Sequence, residues 1–299
     1  MMKAVKGPGF VGLACASAAV GLGIVYLFAA GAPSRHIAIN LAALVVGLAA
    51  YATIVVPQWR LGAAEKAVLP ALGLMILATA LLGTPVEGAA RWVALGPLSL
   101  QVSLIVLPAM VVLFARRPGP AGAAGIAVAA LGLALQPDRA MAGALAAGIA
   151  AVALYRREPA VLIALAAAAI GFAATLMQPD NLPATPWVDQ IFYSSFDVHP
   201  AAGLAVIAGS VLLQIPGLVG GARRPTGSAF AALWLTIVVA AALGNYPTPV
   251  VGYGGSAILG YLLSLSLMSR TRRTEGREAV SRDSSAEERD GSSLSASLT

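Results

Sequence analysis

The residues of this chain that could do chemistry are few, and they fall in the connectors between apolar runs: Glu87, Arg91, Trp92, Gln101, Asp138, Arg139, Asp180, Asp189, Asp197 and His199. Acids dominate. A carboxylate acts as a general base when it stands within hydrogen-bond reach of the proton it removes. His199 and His36 are the only histidines and lie in different connectors, so no cluster with metal-ligand spacing exists. Neither a Gly-x-Ser-x-Gly elbow nor a Ser-His-Asp order occurs. The single cysteine, Cys15, excludes an intramolecular disulfide and reads as a packing residue.

Three short motifs stand out. GAARWVALGPLSLQVS, at 88–103, crowds an arginine, a tryptophan, a proline and a glutamine into one connector. QPD occurs at 136–138 and 178–180, each after an apolar run, where proline stops a helix and aspartate solvates its end. VVGYGGS, at 250–256, contains a loose Gly-x-Gly-x-x-Ala, but a dinucleotide loop needs a preceding strand in a βαβ unit. It also echoes a potassium filter, yet the eight residues between Leu243 and Gly252 include Pro247 and Pro249 and leave no room for a pore helix. Its small residues fit close helix packing in a membrane.

The elements that must position these residues are set by composition. The chain has 299 residues, 59% hydrophobic and only 11% charged. Its mean hydropathy is +0.83. This is the signature of an all-α polytopic membrane protein, because helices satisfy their own backbone groups in lipid. Ten transmembrane helices are expected, near 10–31, 37–56, 66–83, 102–115, 121–136, 140–155, 159–177, 200–219, 227–244 and 249–268. The first apolar run, 10–30, exceeds the roughly 7–15 residues of a signal-peptide core, so it reads as an uncleaved span.

Sixteen of the nineteen basic residues lie on one side of that arrangement: Lys3, Lys6, Arg60, Lys66, Arg116, Arg117, Arg156, Arg157, Arg223, Arg224 and six arginines of the tail. The positive-inside rule then places both termini in the cytoplasm. A pI near 9.8 therefore reports topology and no nucleic-acid surface. A membrane domain over 1–269 is followed by a tail over 270–299, where six arginines face six acids without apolar periodicity, and which reads as disordered. The longest outer loop, 178–199, holds three aspartates, Trp187 and no basic residue.

Together the motifs resemble the SEDS proteins (FtsW/RodA/SpoVE). The family pattern Gly-Ala-x-Arg-Trp-x-x-Leu-Gly, then Gln-Pro-Ser-Glu-x-x-Lys, is matched by Gly88, Arg91, Trp92, Leu95, Gly96, Gln101 and Ser103. LQPD at 135–138 matches Leu-x-Gln-Pro-Asp. Pro249, Tyr253, Gly254, Gly255 and Ser256 match the late Pro-x-x-Ser-Tyr-Gly-Gly-Ser-Ser. The motifs fall in the family's order over about residues 10–268.

The resemblance implies a protein of the bacterial inner membrane in peptidoglycan synthesis, cell division or cell shape. The implied reaction polymerises lipid II, or a related undecaprenyl-linked substrate, on the outer face. A carboxylate deprotonates the acceptor sugar hydroxyl, which attacks the donor's anomeric carbon as undecaprenyl pyrophosphate leaves. The implied substrate-binding residues are Arg91, Trp92, Gln101, Asp138, His199, Tyr253 and Ser256. Arg91 suits a phosphate and Trp92 a sugar or prenyl face; an interfacial Arg-Trp anchor is the alternative for that pair. The implied partner is a class B penicillin-binding protein, a transpeptidase. No cofactor is evident, and a divalent cation stays open.

The chain departs from the family at the base. The pattern His-Thr-Asp-Phe-Ile-Phe-Ala-Val-Ile-Ala reads HPAAGLAVIA at 199–208, which puts Ala201 in the aspartate's place and leaves Asp197 as a displaced candidate. The family's Glu and Lys after the first motif are Leu104 and Leu107. Losing both together avoids an unpaired charge in lipid. A catalytically inactive scaffold that binds lipid-linked substrate or a transpeptidase is the second expectation. A transporter is the third, and it lacks an intramembrane ionisable pathway.

Overall fold

A computed structural model describes residues 8–55, 65–83, 85, 88–96, 98–180, 182–219 and 225–269. The expected tail over 270–299, Glu87, and the basic residues Lys3, Lys6, Arg60, Arg223 and Arg224 lie outside the described residues.

The chain folds into α1 (Pro8–Ala29), α2 (Ser34–Val55), α3 (Glu65–Leu82), β1 (Trp92–Leu95), β2 (Leu98–Gln101), α4 (Val102–Arg116), α5 (Pro120–Leu135), α6 (Arg139–Ala153), α7 (Pro159–Leu176), α8 (Ile191–Val198), α9 (Pro200–Leu212), α10 (Ile215–Val219) and α11 (Pro225–Leu243). A last apolar helix, α12, covers Gly255–Ser269. Prolines open α5, α7, α9 and α11, where a missing N–H and a fixed φ are tolerated. Five helical segments, α9 and α10 counted together as Pro200–Val219, are long and apolar enough to cross a membrane, and five shorter apolar helices accompany them. This is a multi-pass helical membrane protein.

The core forms around α4, whose residues from Ser103 to Ala115 are nearly all buried. Leu104 and Leu107 belong to that core, at 4% and 0% exposure. α3 packs on α5, α5 on α7, α6 on α11 and α1 on α9. Close approach is set by glycine where backbones meet. A Cβ on Gly125 of α5 would lie 2.5 Å from the Leu69 carbonyl of α3, and one on Gly260 of α12 would lie 2.1 Å from the Leu104 carbonyl of α4. Phe28, Leu82, Met177 and Leu243 stay exposed, as side chains facing lipid do.

The structure adds four features to the sequence reading. Residues 92–101 form a two-stranded antiparallel hairpin, registered Trp92↔Gln101 to Leu95↔Leu98, so the fold is not purely α. Alternating Val93, Leu95, Leu98 and Leu100 favour strands, and Gly96 takes φ +59° at the turn. The span expected at 200–219 divides into α9 and α10. The loop 178–199 contains a helix of its own, α8, and the last helix starts at Gly255, later than the expected 249.

Candidate functional site

Five connectors meet at one end of the bundle. Trp187 Nε1 donates to the Ala30 carbonyl at 3.3 Å. Asn245 Nδ2 donates to the Leu182 carbonyl, and Gln190 Nε2 to Asn245 Oδ1. Backbone bonds from Thr248 N to the Val188 carbonyl and from Tyr253 N to the Trp187 carbonyl join the 178–199 loop to the 244–254 loop.

Arg91 sits at the centre of this end, 3% exposed. Its Nη2 pairs with Asp180 Oδ1 at 2.7 Å and also donates to the Pro137 carbonyl, while Nε donates to the Gln136 carbonyl at 3.3 Å. The cation thus lies on the carbonyl end of α5, where the helix dipole is negative. Tyr246 donates its hydroxyl to Asp180 Oδ2 at 2.5 Å. Burial, that hydrogen bond and the Asp180 charge raise the Tyr246 pKa well above the usual phenol range. Arg139 repeats the device one helix pair along. Its Nε donates to the Thr175 carbonyl at 3.1 Å and its Nη2 to the Gln178 carbonyl, at the end of α7.

The two QPD motifs serve as matching corners. Gln136 Nε2 donates to the Ile76 carbonyl of α3, and Gln178 Nε2 to the Ala134 carbonyl of α5, each at 2.9 Å. Proline ends α5 and α7 as expected, but the aspartates do not solvate the helix ends. Asp138 is 1% exposed and caps α6, accepting from Met141 N at 3.2 Å through Oδ1. Its Oδ2 accepts from Gln101 Nε2 at 3.0 Å and Ser103 Oγ at 3.3 Å. Asp180 is the buried partner of Arg91.

Gln101 also ties in the third motif, its backbone N donating to Ser256 Oγ at 3.1 Å. Asn40 of α2 holds the same loop from the other side. Its Nδ2 donates to the Gly252 carbonyl at 2.9 Å, and its Oδ1 accepts from Gly254 N at 3.1 Å. One turn earlier His36 stacks on Tyr253 at 3.9 Å and meets Trp187 edge-on at 5.6 Å. Neither Asn40 nor His36 was among the expected site residues. Asn40 lies inside an apolar run and His36 one turn before it, and that i, i+4 spacing is the signal that marks them, since a polar residue in a membrane helix needs a partner.

The structure therefore brings Arg91, Gln101, Asp138 and Ser256 into one buried network, with Tyr253 half-buried at its edge. Trp92 is half-buried in the hairpin. Asp197 and His199 lie apart from that network, exposed at the end of α8. His199 Nδ1 accepts from Ala201 N at 3.1 Å and so caps α9. Another acid of the loop is more constrained. Asp189 Oδ2 accepts from Thr185 N at 2.8 Å, whereas Oδ1 is buried without a partner among the described residues. Burial raises its pKa above the ordinary 3.8, against the lowering effect of the Thr185 bonds and of Arg91. No group of three or more His, Cys, Asp or Glu is gathered for a metal among the described residues.

The fold has solved counterparts. The chain superposes on the crystal structure of the Rod shape determining protein RodA of Thermus thermophilus with a TM-score of 0.64 at 21% identity, covering 88% of this chain and 96% of that one. The fold is that of RodA. A point mutant of the same RodA gives a TM-score of 0.61 at 22% identity over 88% and 96% of the two chains. A chain from a peptidoglycan synthase complex that coordinates polymerization and crosslinking gives 0.58 at 19% identity over 88% and 97%. Neither a protein-family model nor a curated protein matches the chain. The RodA fold supplies the scaffold on which the polar end is built.

Proposed function

We propose that this protein acts in peptidoglycan synthesis as a SEDS-like glycosyltransferase. It spans the bacterial inner membrane ten times, with both termini cytoplasmic, and polymerises lipid II on the outer face. The observation that carries this reading is the convergence of three motifs far apart in sequence. Arg91, Asp138 and Ser256 meet through Gln101 and the carbonyls of Gln136 and Pro137 at the end of the bundle overhung by the aspartate-rich loop.

In this reading Asp197 is the base. Its exposure on α8 leaves it free to approach an acceptor hydroxyl, as general base catalysis requires. Trp92 and Tyr253 offer aromatic faces to the sugars or the prenyl chain. His199 sets the start of α9 behind the base. Gln101, Asp138 and Ser256 hold the floor of the site rigid, and Arg91 fixes the loop over it through Asp180. A class B penicillin-binding protein takes the nascent strand, a partnership supported by the likeness to the synthase complex.

Purified protein supplied with lipid II tests the base. Asp197→Ala is expected to slow strand formation by about 10²–10⁴-fold, the usual contribution of a general base. Strand formation unchanged by Asp197→Ala removes Asp197 from the mechanism. One observation favours the alternative, a scaffold that binds without turnover: Asp197 lies exposed on α8, apart from the buried network that holds Arg91, and Ala201 stands where the family resemblance expects the aspartate. Lipid II binding with no polymer, in the presence of the transpeptidase, selects that alternative.

A further inference from the structure

The hairpin at 92–101 has two unlike faces. Directly paired residues of an antiparallel ladder share a face. Val93↔Leu100 and Leu95↔Leu98 therefore make one face, and Trp92↔Gln101 and Ala94↔Ser99 the other. The second face is tied inward at its base. Gln101 is buried, with its Nε2 on Asp138 and its backbone N on Ser256 Oγ. Arg91, just before β1, is buried on helix-terminal carbonyls and Asp180. The first face is wholly apolar, yet Val93 is 41% and Leu95 63% exposed. A sheet with one face in water shows the reverse order, apolar inward and polar outward.

Two strands alone are marginal in water and need a covered hydrophobic face. The neighbours of the hairpin indicate what covers it. Gly83 directly follows α3, and a Cβ there would lie 3.2 Å from the Trp92 carbonyl, so β1 starts against the end of that helix. The last residues of α3, Leu81 and Leu82, are 66% and 84% exposed, as side chains facing lipid are. Exposed Leu131 and Leu135 continue that belt on α5, which packs against α3. No charged residue occurs from Trp92 to Ala115. Trp92, at the base of the hairpin, is a residue type enriched where a membrane meets water. From there the hairpin extends about 10 Å to the Leu95–Leu98 pair, at roughly 3.4 Å per residue. The apolar face thus continues a lipid-facing surface.

We propose that the Val93, Leu95, Leu98 and Leu100 face is a lipid-contact surface. The hairpin lies in the boundary layer of the leaflet next to the polar end, with this face toward the acyl chains and Ser99 toward water. Its partner is the bulk phospholipid of the bilayer. Bolted at its base to the buried network and anchored at its tip in lipid, the hairpin fixes the height of that network relative to the membrane. This holds whatever reaction the site performs.

The test uses the full chain in phosphatidylcholine nanodiscs, with Cys15→Ala and a bimane label on a single introduced cysteine. Leu82→Cys is the lipid-facing reference and Ala184→Cys the water-facing one. Phosphatidylcholine brominated near the top of its acyl chains is expected to quench labels at Val93→Cys and Leu95→Cys several-fold more than aqueous iodide does, as at Leu82→Cys. Ser99→Cys is expected to follow Ala184→Cys and be quenched mainly by iodide. Leu98→Cys repeats the reading on the same face where either variant fails to fold. Iodide quenching at Val93→Cys and Leu95→Cys as strong as at Ala184→Cys overturns the proposal. Protection of both from iodide and from brominated lipid overturns it too, because protein then covers the face. So does lipid quenching of Ser99→Cys equal to that of Leu95→Cys, since the two faces are then alike. Strand formation from lipid II does not enter the readout, so this result and the function proposed above fail separately.

Discussion

A buried guanidinium with one carboxylate, one phenol and two carbonyls around it is stable only as a complete set. Removing one partner of a buried ion pair leaves the other charge uncompensated and costs about 3–5 kcal/mol. Arg91→Gln should therefore lower the melting temperature in detergent sharply. Asp180→Asn keeps an acceptor for Tyr246 but leaves the buried Arg91 cation without its counter-charge, so it is expected to cost a similar amount. In the double variant the two losses should combine to less than their sum; full additivity would mean that the pair is not coupled. Asp189 gives a pH signature. Its folded pKa is raised, so its contribution to loop stability is present below the ordinary 3.8 and declines as pH rises through the raised value. Asp189→Asn should flatten that decline, and equal slopes for the two proteins in thermal unfolding across that range would contradict the assignment. Arg91 is conspicuous in the sequence, but its partner is not. Asp180 lies 89 residues away, and only the folded connectors show that it outcompetes the other acids of the loop.

At the scale of elements, helix contacts depend on where backbones can touch. Gly260→Ala would put a methyl carbon 2.1 Å from the Leu104 carbonyl, so α12 and α4 must separate, at about 1–3 kcal/mol. Gly21→Ala meets nothing within 4 Å and should leave the melting temperature unchanged or raise it slightly. The reverse order would contradict the α4–α12 packing. The helices were legible in the sequence because apolar runs of membrane length leave little choice, and the proline starts mark several boundaries. The hairpin was not, because Val93 to Gln101 holds only a short alternation around a glycine. The break between α9 and α10 was hidden for a related reason: Gln214 and Pro216 lie inside a run whose overall hydropathy reads as one span.

For the whole molecule, the meeting of five connectors at one end agrees with the alternation of basic and non-basic loops that defined the outer face. With Cys15 replaced by alanine, Ala184→Cys should react with a membrane-impermeant maleimide in intact cells, and Arg157→Cys should react only after lysis. Labelling of both from outside would contradict the proposed orientation. The motifs of the candidate site were legible, while its working parts were divided differently from their appearance. The conspicuous residues Arg91 and Asp138 are internal struts, while His36, at the end of a connector, and Asn40, inside an apolar run, hold the aromatic edge. Polarity shows in a sequence, but whether a polar group faces a ligand or a neighbour is fixed by tertiary contacts. The most direct test of the central claim is to incubate the purified wild-type protein with lipid II, with and without a cognate transpeptidase, and to resolve the products by length. Glycan strands, together with release of the prenyl pyrophosphate, are the predicted result. Wild-type protein that neither binds lipid II nor extends it under either condition would contradict the account.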